Sequence, residues 1–222
     1  MNSRDVNERR TAWAMLILCP LSMMAIYAYI TAGLAPGLDA GHPMEYLQAT
    51  CIMWAVVTLV IPLLRLLRFV ALPLWFTALL YGDLYFYVIS LSLGMYLNIA
   101  WWGDFTHLIA AMIITSIVFM AICIMHSHSP SHVSFGSRTG IVLLLLFVSA
   151  SFGSIWEVME GYTDIITGAE YMSYGALDSL GDLFADLFGV AIMTAIAWFI
   201  LGRYDAENVA SKVRLGRKMI PV

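Results

Sequence analysis

A chain of 222 residues that is 61% hydrophobic and only 12% charged falls well short of the quarter of charged residues typical of water-soluble domains. With a mean hydropathy of +0.84 it reads as an all-α, polytopic membrane protein, and its net charge of −4 goes with no expected nucleic-acid partner. Cys19, Cys51 and Cys123 stand alone inside apolar stretches, which leaves neither a disulfide framework nor a C-x-x-C metal or redox motif and makes them small packing residues.

Apolar stretches long enough to cross ~30 Å of hydrocarbon run over Ala12 to Leu34, Leu47 to Leu64, Phe69 to Leu91, Phe105 to Met125, Gly140 to Gly161 and Asp178 to Leu201. The first follows Arg9-Arg10, but it is longer than a signal-peptide core and a second span follows it, so it is expected to be retained. Six helices account for nearly the whole chain. A single transmembrane bundle over residues 1–222 is predicted, with short tails at 1–11 and 203–222.

Orientation follows from the bases. All 11 Lys and Arg fall in the two tails, in the turn holding Arg65 and Arg68, or beside Arg138 in the fourth connection. The connections at 35–46, 96–103 and 162–177 have none, so the positive-inside rule predicts N-in and C-in topology, in the inner (cytoplasmic) membrane of the cell. Aromatic residues fit as interface anchors, with Tyr96, Trp101, Trp102 and Trp156 near the outer face and Trp13, Trp198 and Tyr204 near the inner one.

The acids do the reverse. Only Asp5, Glu8, Asp205 and Glu207 fall inside, and the other 11 of the 15 lie outside or in the outer halves of spans. At ~1.5 Å per residue from each span's cytoplasmic end, Asp83, His107, Glu157, Glu160, Asp182 and Asp186 share a layer ~20 to 30 Å up, with Asp104 and Asp178 just above.

Spacing gathers them further. Asp178, Asp182 and Asp186, at i, i+4 and i+8, drift only about 80° around a helix and form one stripe ~12 Å long. Asp104-x-x-His107 and Glu157-x-x-Glu160 each put two ligand-capable groups on one helix face. Two like charges 5 Å apart repel by ~3 kcal/mol at an effective dielectric of ~20, and no Lys or Arg accompanies these acids. Either several carboxyls stay protonated or a cation binds. One imidazole among many hard oxygens favours Mg²⁺, Mn²⁺ or Ca²⁺ over Zn²⁺, with Asp104, His107, Glu157, Glu160, Asp178, Asp182 and Asp186 as the ligand set. For Asp83, next to Tyr81, Gly82 and Tyr85, a structural role stands level with a ligand role. His126, His128 and His132, in a cytoplasmic connection, have spacing that can bind a transition metal, against the plainer reading of a solvated loop.

The order D-x-x-H, W-E-V-M-E and then D-x-x-x-D-x-x-x-D with a following Gly resembles the YjdF-like inner-membrane proteins, a family of unknown function, over about Gly103 to Gly189. A fainter likeness extends to VanZ-like proteins, which are associated with glycopeptide-antibiotic resistance at the outer face. The YjdF-like pattern is closer to G-D-x-x-D-x-x-x-D, so the resemblance carries to Asp182 and Asp186 better than to Asp178.

Two functions remain open on the sequence. One is a metal-dependent membrane enzyme acting on a lipid-linked or phosphate-bearing substrate in the outer leaflet, among membrane lipids. The other is a cation or proton transporter, channel or cation sensor using the same acidic cup. The D-G-x-x-A-R element of CDP-alcohol phosphotransferases is missing, and a lone His argues against a di-metal oxidase built on Glu-x-x-His pairs. The inner halves of the spans offer only scattered hydroxyls such as Thr58, Thr115, Ser116 and Thr194, the pattern of a dead-end cup. The connection from Gly161 to Leu177 is expected to form a lid.

Overall fold

A computed structural model describes residues 3–67, 69–128, 137–168, 172, 175–211 and 214–215. In chain order these form α1 (Ser3–Thr31), α2 (Pro36–Ala40), α3 (Met44–Val57), α4 (Val60–Leu66), β1 (Val70–Ala71), α5 (Leu74–Ser92), α6 (Met95–Asn98), α7 (Trp102–His128), α8 (Arg138–Thr167), α9 (Ala176–Leu201), α10 (Ala206–Ala210) and β2 (Arg214–Leu215). Among the described residues the fold is helical apart from the two-residue antiparallel pairing of β1 with β2. Among the described residues, five helical stretches are long and apolar enough to cross a membrane: Arg9–Thr31, Met44–Leu66, Trp102–Ser127, Arg138–Thr167 and Ala176–Leu201. The sixth apolar segment is shorter, Phe76–Ser92.

The departures from the predicted spans trace to prolines and to helix ends. Pro73 caps α5 from an extended conformation, so the helix starts at Leu74 and not at Phe69; a proline ring also biases the residue before it away from helical angles. The second span breaks at Thr58 and Leu59 into α3 and α4. Pro62 has no N–H to return to the Thr58 carbonyl one turn back, and Tyr81 Oη donates to that carbonyl instead. At the other end of the chain, α8 runs on to Thr167 and stops at Gly168, whose φ of +67° is the left-handed cap a glycine adopts freely. The connection expected over Gly161 to Leu177 is therefore helical for its first seven residues. Much of the remaining proposed lid, including Glu170, Tyr171 and Tyr174, lies outside the described residues.

The chain divides into two compact units, residues 1–100 with 213–222, and residues 101–212. The first has a core of Met23 and Ile30 from α1, Ala35 just before α2, Leu47 and Cys51 from α3, and Val88 and Leu91 from α5. Here Tyr85 Oη meets Ser22 Oγ and donates to the Cys19 carbonyl at 3.1 Å, tying α5 to the turn of α1 around Pro20. Asp83 sits half-buried on α5 within this unit. The three cysteines are free, with Cys51 and Cys123 buried and Cys19 half-buried.

The second unit is built on α7, α8 and α9, with α7 against α9 its most extensive contact. At one end Phe119, Ile122 and Cys123 of α7, Ile141 and Leu145 of α8, Ala197 of α9, and Ala206 and Ala210 of α10 form an apolar core. Arg138 starts α8 there, its guanidinium 3.7 Å from the centre of the Trp198 ring while Nη2 donates to the Trp198 carbonyl. Outward faces carry large apolar side chains such as Phe147, Val158, Phe184, Phe188 and Phe199, and the carboxylates of Glu157, Glu160, Asp182 and Asp186 are buried. Lipid as solvent accounts for that inversion, because hydrocarbon accepts Phe and Val and rejects ionisable groups.

Candidate metal centre

The close crossing of α7 and α9 depends on absent side chains. A Cβ on Gly189 would stand 2.6 Å from the Leu108 carbonyl oxygen and 3.1 Å from Ala111 Cβ, so only glycine lets the two backbones meet. His107 lies one residue from that crossing, and Asp186 less than a turn from it on the opposing helix. Gly153 of α8 gives Asp186 its place, since a Cβ there would come within 2.5 Å of Asp186 Oδ2.

The result is a compact constellation. His107, Glu157, Glu160 and Asp182 each offer a ligand atom, and these four atoms all lie within 4.8 Å of one another. His107 is in the middle: its Nδ1 is 3.4 Å from Asp186 Oδ1 and 3.6 Å from Glu157 Oε1, and its Nε2 is 3.8 Å from Asp182 Oδ2. Glu160 Oε1 accepts from Trp156 Nε1 at 2.8 Å, which leaves Oε2 for another partner. Asp182 is 4% exposed and Glu157 8%. Asp182 Oδ1 is buried with no hydrogen-bond partner, and the buried oxygens of Glu157 have only looser neighbours in the Ser179 side chain and in His107 Nδ1 at 3.6 Å. Buried polar atoms are normally paired, so carboxylate oxygens held this loosely are suited to receive a cation. The only Lys or Arg between Arg68 and Arg203 is Arg138, at the far end of α8, so no basic side chain on these helices answers the acids.

Below the acids the helices descend in matching steps. Four residues along each helix from the site come Ala111, Gly153 and Val190, and eight along come Thr115, Ser149 and Thr194, all three buried. Thr115 Oγ1 donates to the Ala111 carbonyl, whereas the Ser149 and Thr194 hydroxyls have no partner. One further turn reaches the apolar core at Phe119 and Leu145.

Of the seven predicted ligands, then, four are drawn into one group and Asp186 adjoins it through His107. Asp104 is exposed, its Oδ1 2.7 Å from where a Gly181 Cβ would be, and Asp178 is half-exposed in the first turn of α9. Of the histidine run, only His126 has a described side chain, its Nε2 3.8 Å from Glu207 Oε1; His128's side chain and His132 lie outside the described residues. Sequence reasoning missed Trp156 as a donor, having read it as an interface anchor, and missed the glycines. The usable signal was a small residue before each buried aspartate, Gly181-Asp182 and Ala185-Asp186, with Gly189 one turn on.

Fold and site together define a multi-pass membrane protein whose last three long helices enclose a carboxylate–histidine group able to hold a metal ion. The chain belongs to the family described as Predicted membrane protein (DUF2238), which matches residues 18–203. No curated protein and no solved structure matches it.

Proposed function

We propose that this chain is a divalent-cation-dependent enzyme of the inner membrane, YjdF-like, with six spans, both ends in the cytoplasm and its centre open to the outer leaflet. The observation that carries the reading is the convergence of His107, Glu157, Glu160 and Asp182 within 4.8 Å, with Asp182 Oδ1 buried and without a hydrogen-bond partner. A dication offsets repulsion among such groups far better than one imidazolium could. Hard oxygens with one nitrogen suit Mg²⁺, Mn²⁺ or Ca²⁺. A bound ion of this kind would supply Lewis-acid polarisation of a phosphoryl oxygen or an activated water, and a carboxylate that the ion does not engage would hold the proton.

Depth supports a lipid-linked or phosphate-bearing substrate. Counting ~1.5 Å per residue up α9 from Leu201, Asp182 stands ~28 Å above the cytoplasmic end, close to the ~30 Å at which hydrocarbon gives way to headgroups. The apolar layer of Phe119, Leu145 and Ala197 below the hydroxyls favours an enzyme over a transport route, which would need polar groups through to the other side.

Purified protein analysed for Ca, Mg, Mn, Fe and Zn is expected to carry at least one dication per chain, and chelator-treated protein is expected to melt higher on adding Mn²⁺. No metal in any preparation, together with no thermal shift, would remove the proposal and put a protonated hydrogen-bond network in its place. Orientation has its own test. In a chain with Cys19, Cys51 and Cys123 replaced, a cysteine at Gly168 is expected to react with an impermeant reagent from outside and one at Ser211 only after permeabilisation. The reverse labelling would turn the centre toward the cytoplasm.

A further inference from the structure

We infer that Asp186 is not a ligand of the cation but the group that fixes the His107 ring so that Nε2 faces it. This rests on the reading of the site as a metal centre and assigns a separate role to a residue that sequence spacing pairs with Asp182.

Asp186 falls outside the group whose ligand atoms all lie within 4.8 Å, and it approaches His107 at Nδ1, 3.4 Å from its Oδ1. The other ring nitrogen, Nε2, points to Asp182, whose Oδ1 is without a hydrogen-bond partner. An imidazole that gives Nε2 to an ion carries its proton on Nδ1, and that N–H needs an acceptor. Carboxylates commonly fill this place behind a metal-bound histidine, fixing ring orientation and raising the basicity of the ligating nitrogen. Asp186 is confined to it: Gly153 stands so close that even a methyl group would meet Asp186 Oδ2 at 2.5 Å, Cγ at 3.0 Å and Cβ at 3.1 Å. Glu157 Oε1, at 3.6 Å from Nδ1, is the one other acid near that nitrogen, but Glu157 also belongs to the close group and so has the ion as its partner. The three helices thus divide the work. α8 and α9 supply carboxylate ligands, α7 supplies the imidazole, and the second aspartate of α9, seated against α8, aims it.

The test is a thermodynamic cycle read by Mn²⁺ titration of the chelator-treated full chain. Asp186→Asn in the otherwise unchanged protein is expected to weaken Mn²⁺ binding 10- to 100-fold at unchanged stoichiometry, as loss of an outer partner does. In a His107→Gln background the same change is expected to alter affinity less than twofold, because Asp186 acts only through the ring. Equal losses in both backgrounds would make Asp186 a ligand and overturn the inference while leaving the metal centre intact. Failure of the unsubstituted protein to bind Mn²⁺, Mg²⁺ or Ca²⁺ would instead overturn the metal reading beneath it. Gly153→Ala provides a second route: it leaves every acid in the chain and is expected to weaken Mn²⁺ binding in the unchanged background and not in His107→Gln. A loss from Gly153→Ala in both backgrounds would mean a general disturbance of α8 and count against the assignment.

Discussion

Replacing Asp182 by Asn and Glu157 by Gln in one chain is expected to raise the melting temperature in chelator and abolish the response to Mn²⁺. Both effects have one cause. Without an ion, these carboxyls either repel their neighbours, at ~3 kcal/mol for a pair 5 Å apart in a dielectric of ~20, or must hold protons to avoid doing so. Neutral amides of nearly the same shape remove that penalty. With an ion at a hundred times its dissociation constant, the unsubstituted protein gains about 2.7 kcal/mol and the variant gains none. The order of stabilities therefore reverses between chelator and metal, and a general loss of folding could not produce that reversal. Thermal unfolding followed in both conditions reads it directly. A variant that melts lower in chelator and still shifts upward with Mn²⁺ would show that Asp182 and Glu157 hold the bundle together and do not hold a cation.

Gly189→Leu is expected to have the largest effect on the fold. Its Cβ would stand 2.6 Å from the Leu108 carbonyl oxygen, which is backbone and cannot rotate away, so α7 and α9 must separate. Overpacking of this kind costs on the order of 3 kcal/mol, or about 10 °C in melting temperature for a chain of this size. Metal affinity should fall with it, since the displaced carbonyl is one residue from His107. Gly161→Ala is the control: a Cβ there meets nothing within 4 Å, and the change should be neutral to slightly stabilising. Equal melting temperatures for Gly189→Leu and Gly161→Ala would rule out the tight crossing.

What could be read from the sequence was whatever lies along one helix. The i, i+4 spacing of Asp182 and Asp186 and the i, i+3 spacing of Glu157 and Glu160 put each pair on one face, and both pairs are buried. Asp178 has the same spacing and is half-exposed, because the stripe runs up past the depth at which α7 and α8 cover it. Periodicity says which residues share a face and not where along the helix a neighbour ends. Which aspartate would sit against His107 was not legible either. That depends on Gly153 and Gly189, whose meaning lies in atoms of other helices. The break at Thr58 had a visible signal in Pro62, though its repair by Tyr81, 23 residues away in sequence, did not.

The enclosure of the acids by three successive spans also bears on biogenesis. Before α9 is in place the Leu108 carbonyl and Ala111 of α7 lack their cover, because the glycine that packs on them belongs to α9. α8 follows with Glu157 and Glu160, and α9 last with Asp182 and Asp186. An acidic group costs ~3 kcal/mol at the centre of an inserting helix and less toward its ends, where these acids lie, and each Leu, Ile or Phe returns only ~0.5 kcal/mol. Until α9 docks, the acids of α8 have the imidazole of α7 beside them but lack Asp182, the fellow carboxylate with which they would share a cation. Completion of the centre thus waits on the final span, and a chain ending before α9 would leave α7 and α8 as an unfinished pair.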